Sequence, residues 1–122
     1  MKTHLPAAIA MSVGVILGNS AAHSQTYPSK PVRLIVPFTP GGGTDIVARI
    51  VSPKLADRFG QQVIVDNRPG AAGTVGAEIT VKSAPDGHTM LVGSTSEVGI
   101  GSSLHTKLPY NTLRDLVPVT AL

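Results

Sequence analysis

The sequence predicts an α/β fold: a three-layered domain on a parallel sheet. Two observations carry this reading. The order strand, glycine-rich loop, helix occurs twice, and a third apolar strand that runs into another small polar loop follows. Connections of that kind cross over right-handed and lay helices against the sheet. Residues 31–36 (P-V-R-L-I-V) are apolar and β-branched enough for a buried strand, and Pro37 stops it. Pro40, Gly41, Gly42 and Gly43 then allow a tight turn with dihedrals that other residues resist. Thr44 or Asp45 is placed to cap a helix whose apolar positions Ile46, Val47, Ile50, Val51, Leu55 and Phe59 recur at helical spacing, and Gly60 ends it. Pro53 inside that run marks a kink or break near Val51 and Ser52.

Residues 62–66 (Q-V-I-V-D) read as the second strand, followed by N-R-P-G-A-A-G-T-V-G and a short helix through Lys82. After the turn A-P-D-G, residues 89–93 (T-M-L-V-G) form the third strand, which leads into Ser94, Thr95 and Ser96. Beyond it, residues 97–104 are a loop or short helix, 108–110 a turn, 113–116 one helical turn, and 117–122 the start of a fourth strand. A domain ending on V-P-V-T-A-L reads as a piece of a longer protein.

The chain has 122 residues, 42% hydrophobic and 14% charged, a composition that folds and has room for about one core. No cysteine is present, which excludes disulfides, thiolate zinc sites and cysteine nucleophiles. With no Trp, two Phe and two Tyr, aromatics that stack unpaired bases are scarce. The net charge of +3 is spread along the chain, so no nucleic-acid groove is expected. Lys2, the uncharged run 5–17 and the polar stretch N-S-A-A-H-S-Q have the form of a secretory signal over residues 1–24, with cleavage before Gln25 or before His23. That apolar run is too short for the roughly 20 residues of a membrane-spanning helix. The alternative is a retained anchor; the preferred reading is an exported chain, residues 25–122, with no stable membrane insertion after cleavage.

Ligands of a parallel sheet bind at the rim formed by the carboxyl ends of its strands. All three small-residue loops belong to that rim. The loops at Pro40 to Asp45 and at Gly70, Ala71, Ala72 and Gly73 each open a helix, so free N–H groups and the positive end of the helix dipole face one crevice. Such a crevice favours a carboxylate or a phosphate. Sharper motifs are missing. No lysine follows Gly43 as a P-loop requires, and Gly70, Gly73 and Gly76 miss the dinucleotide spacing. There is no G-x-S-x-G elbow around Ser94 or Ser96, and His4, His23, His88 and His105 show no ligand spacing. Blander readings stand beside the functional ones: the glycines as a plain turn, Asp45 as a cap, Asn67 and Arg68 as turn formers, Ser94 to Ser96 as a strand end.

Four collinear segments then make the chain recognisable: Y-P-S-K-P-V-R-L-I-V-P-F-T-P-G-G-G-T-D-I-V-A-R from Tyr27, V-D-N-R-P-G-A-A-G-T-V-G from Val65, A-P-D-G-H-T-M-L-V-G-S-T-S from Ala84 and L-P-Y-N-T-L-R-D-L-V-P-V-T from Leu108. Their order resembles the Bug family, the extracytoplasmic receptors of tripartite tricarboxylate transporters, over residues 27–122. The resemblance implies a periplasmic binding protein of type II-like architecture, here the incomplete first part of domain 1. It implies a periplasmic receptor that closes on a small carboxylate and presents it to membrane transporter subunits, with no cofactor and no catalysis. Carried over, the contacts are Phe38, Thr39, Gly41, Gly42, Gly43, Thr44 and Asp45 in the first loop, Gly70, Ala71, Ala72 and Gly73 in the second, and Ser94, Thr95 and Ser96 in the third. Phe38 would pack on the ligand's carbon frame, the glycines and Thr44 would donate, and Asp45 would orient waters or an amino group. Two departures are visible: family receptors are about three hundred residues long, and Glu97 stands where the family more often has a neutral residue. The rivals are an α/β enzyme that holds a phosphate or nucleotide in the same loops, and a receptor remnant without function.

Overall fold

The structure, a computed structural model, describes residues 26–100 and 107–122. The expected signal segment 1–24 and part of the segment 97–104 lie outside the described residues. Among the described residues no helix is long and apolar enough to cross a membrane.

Strand β1 (Val32–Val36) runs between two parallel neighbours. On one side β2 (Val63–Asn67) pairs Val32 with Val63 through to Val36 with Asn67, and on the other β3 (Thr89–Leu91) pairs along Arg33, Leu34 and Ile35. The sheet order is therefore β2-β1-β3. Val32, Leu34, Ile35 and Val36 are all buried, as expected of a strand covered on both faces. Helix α1 (Gly43–Phe59) connects β1 to β2, and α2 (Thr74–Lys82) connects β2 to β3 past β1. Right-handed crossovers in opposite directions put these helices on opposite faces, which gives the three layers expected from the alternation.

Three local expectations are corrected. First, α1 starts one residue before Thr44: its cap is Gly42, in extended conformation, and no side chain caps the helix. Second, the stripe Ile46, Val47, Ile50 is not its buried face. The buried residues are Asp45, Ala48 and Ser52, while Ile46 and Ile50 are 51% and 57% exposed. Small residues on that row let the helix approach the sheet closely, so proximity rather than apolarity selects the face. Third, Pro53 does not break the helix, which runs from Gly43 to Phe59. Pro53 and Arg49 four residues earlier both lie on the exposed side, where a carbonyl that loses its helical partner meets water. Gly60 ends α1 as expected, in left-handed conformation with its N–H on the carbonyl of Ala56.

The C-terminal part differs from expectation as well. Residues 96–100 form a wide π-helical turn, and α3 (Thr112–Asp115) is a single turn capped by Asn111, whose side chain accepts from the N–H groups of Leu113 and Arg114. The expected fourth strand does not form: residues 117–122 have no regular structure, and Val117, Val119 and Leu122 are exposed. Among the described residues they pair with no strand, although the outer edge of β3 is open, and β-branched side chains alone do not hold an extended segment.

At the amino ends of the strands, opposite the loops, the Tyr27 hydroxyl donates to the carbonyl of Gly87, and its ring sits edge-on to Phe59 and His88. Lys30 pairs with Asp86 at 2.8 Å. The Lys30 ammonium and the His88 N–H hold the Asp86 carboxyl well below the usual carboxylate range.

Gly76, on α2, fixes how the second loop meets the first. A Cβ on Gly76 would lie 2.7 Å from Pro37 Cβ and 2.8 Å from its Cα, closer than the atoms can approach. Gly76→Ala is therefore expected to destabilise the fold by about 1–3 kcal/mol through overpacking. Urea denaturation checks this; an unchanged midpoint would show that α2 can slide away from Pro37.

Candidate functional site

In a parallel sheet the segments after β1, β2 and β3 emerge at one rim, and the crevice opens where neighbouring connections diverge, between β1 and β3. The start of α1 follows β1 and the Ser94 loop follows β3. Gly43 and Thr44 from the first, with Gly93, Ser94 and Thr95 from the second, line one end of a groove of about 1220 Å³. Val47, Val51, Leu55 and Met90 form part of its apolar wall. The exposed-looking side of α1 thus faces this groove in part.

The first loop is held by a network that the sequence conceals. Asp45, only 2% exposed, accepts from the Gly41 N–H at 2.9 Å, from Arg49 Nε at 2.8 Å and from Asn67 Nδ2 at 2.9 Å. Asn67 also donates to the carbonyl of Phe38, and Arg49 Nη2 donates to Asn67 Oδ1. The Arg49 guanidinium, then the Gly41 N–H and the Asn67 amide, hold the Asp45 carboxyl well below the usual range, against a smaller opposing effect of burial. Asp45 is thus committed to fixing residues 38–45 rather than turned toward waters or an amino group. Its i,i+4 spacing to Arg49 was readable as an ion pair. Asn67, which the sequence offered only as a turn former, comes from β2 and has no such signal.

That network leaves the mouth of α1 open. The first helical bond runs from Ile46 N–H to the Gly42 carbonyl, so the N–H groups of Gly43, Thr44 and Asp45 have no main-chain acceptor among the described residues. They carry the positive end of a 17-residue helix. Other donors expected at the rim are already taken. Gly41 donates to Asp45, Gly42 lies 3.4 Å from the Thr39 carbonyl, and Gly73 donates to the Gly70 carbonyl at 3.0 Å.

In the second loop Gly70, Ala71, Ala72 and Gly73 all have positive φ, of 141°, 45°, 53° and 92°. Two alanines in the left-handed region are strained, and such strain persists only where surrounding structure imposes it. Here Gly73 lies against Glu97: a Cβ on Gly73 would meet the Glu97 carboxyl at 3.2 Å. Ala71 and Ala72 are exposed, and their N–H groups have no acceptor among the described residues. The second loop touches the third but does not line the groove.

In the third loop Glu97 is 1% exposed and accepts from both the main-chain N–H of Ser94 and its hydroxyl, the latter at 2.7 Å. The Ser96 N–H points to Ser94 Oγ at 3.3 Å. The buried Tyr110 hydroxyl donates to the Glu97 carbonyl. Ser94 is therefore occupied from within the chain, and of the three loop residues it alone bonds to the Glu97 carboxyl. No cluster of His, Asp or Glu fit for a metal ion occurs among the described residues.

A parallel sheet of this order, with main-chain donors gathered at its carboxyl rim, is part of the α/β fold of a periplasmic binding protein. The family described as Tripartite tricarboxylate transporter family receptor matches residues 47–122, and the chain belongs to it. Protein BugT of Bordetella pertussis is 44% identical over 119 residues, covering 97% of this chain and 36% of its own. A solved periplasmic transporter is 41% identical with a TM-score of 0.75, over 77% of this chain and 32% of that one. MatC from Rhodopseudomonas palustris with bound malate is 39% identical with a TM-score of 0.70, over 73% and 30%. The chain spans about a third of the length of the curated relatives it matches.

Proposed function

We propose that the protein is a periplasmic solute receptor that binds a small carboxylate and hands it to the membrane subunits of a tripartite tricarboxylate-type transporter. Residues 1–24 serve as its export signal, and residues 25–122 form the N-terminal part of its solute-binding domain. The observation that carries the reading is the uncapped mouth of α1, where Gly43, Thr44 and Asp45 present unpaired N–H groups, the first two at the end of the groove. A carboxylate there satisfies orphan donors and meets the helix dipole, with no side-chain cation needed. The left-handed pair Ala71–Ala72 offers further main-chain donors on the same rim. Malate in a 39% identical structure supports a carboxylate as the ligand class. No covalent chemistry is assigned to the loops.

Calorimetric titration of the protein with di- and tricarboxylates, ω-amino acids and, as controls, inorganic phosphate and a mononucleotide tests this. Saturable heat with a carboxylate is expected. Tight nucleotide binding, or heat with no carboxylate at all, would overturn it.

A further inference from the structure

We infer that Glu97 sets the charge selectivity of the pocket, so that the end of the ligand nearer the third loop is cationic or neutral rather than a second carboxylate. The inference rests on the receptor reading above and deepens it. Glu97 is buried, and no cation pairs with it among the described residues. Its two oxygens take the Ser94 N–H and the Ser94 hydroxyl, the polar groups with which the third loop would face an anion. Ser94 lines the same groove end as Gly43 and Thr44. One groove end therefore carries open N–H donors on the α1 side and, on the β3 side, a hydroxyl and amide already neutralised by an internal carboxylate just beneath them. Gly73 closes over that carboxylate from the second loop, with no side chain between them.

The consequences follow from charge alone. A ligand carboxylate seated at the mouth of α1 meets only donors. A second carboxylate reaching toward Ser94 finds its amide and hydroxyl already engaged and feels the field of Glu97 just beneath them, in a part-buried site where like charges repel more than in bulk water. An ammonium in the same place is attracted. Because Glu97 is covered, it acts through Ser94 and through its field rather than by touching the ligand, which makes it a positioning and specificity-determining residue.

The test compares pairs of equal chain length that differ only at one end: succinate with β-alanine, glutarate with 4-aminobutyrate, adipate with 5-aminovalerate. Affinities are measured by calorimetry on the full chain and on Glu97→Gln, which keeps the volume and an acceptor for the Ser94 N–H. The native protein is expected to favour the ω-amino acid of the best-fitting pair, and Glu97→Gln to shift the ratio toward the dicarboxylate by roughly tenfold or more, the scale of one nearby charge. A purely structural role would lower both affinities together and leave the ratio unchanged. An unchanged ratio, or a native protein that binds the dicarboxylate tenfold more tightly, overturns the inference and leaves the receptor reading intact. Should Glu97→Gln fail to fold, the native ratio alone decides. Absence of binding by every compound to both proteins overturns the receptor reading, and the inference with it.

Discussion

Gly43→Pro is expected to weaken carboxylate binding about 10- to 100-fold, the value of one hydrogen bond to a charged group, while stability stays level or rises slightly. Gly43 is the first residue of α1, the position at which proline is best tolerated because its missing N–H has no helical partner. Gly42 before it already has φ −76° and ψ 165°, the extended conformation a residue preceding proline adopts. A Cβ at Gly43 meets nothing within 4 Å. The substitution thus removes a single orphan donor from the groove and leaves the helix as it was. Calorimetry for affinity and thermal unfolding for stability separate the two effects. Unchanged affinity would mean that the mouth of α1 does not hold the ligand.

Asp45→Ala should be at least as damaging to binding, on the order of 30-fold or more, by a different route. It releases the Gly41 N–H, Arg49 and Asn67 together, and Asn67 is also what holds the Phe38 carbonyl. Here binding and stability fall in parallel, unlike the proline variant. The carboxyl of Asp45 is held below its ordinary value, chiefly by Arg49, so the folded state binds its proton less readily than the unfolded chain. Its contribution to stability is fully present above about pH 4, the ordinary carboxylate value, and is lost as the pH falls below that toward the lowered native value. Denaturation midpoints recorded from about pH 6 down to about pH 2 should fall less steeply in Asp45→Ala than in the native protein. Equal slopes would show that Asp45 is not a paired carboxylate in solution.

The readable part of this molecule was the part governed by local rules. The run P-V-R-L-I-V, the stop at Pro37 and the left-handed Gly60 each lie within a few residues of their cause, and strand alternation then fixed the parallel sheet and the single rim. Misreadings arose where a distant partner decided. Ala48 and Ser52 took the inner face of α1 from Ile46 and Ile50 because the sheet needed a thin surface, which no property of the helix sequence announces. Asp45 looked like a cap, and it is a tie to Asn67, 22 positions away on another strand. Glu97 could be flagged as an odd charge, yet whether it faced outward or inward depended on Ser94 and Gly73 folding around it. The segment 117–122 has strand composition but pairs with no strand among the described residues.

The placement of β1 between its two partners has a bearing on biosynthesis. A ribosome delivers residues 32–36 first, and that segment then waits for β2 and later for β3 before either flank is satisfied. The groove end joins Gly43 to Ser94, so it comes into being only after the nascent polypeptide has emerged past the third strand. Until then the apolar segment that will become the centre of the sheet stays uncovered, the kind of surface a holding chaperone binds.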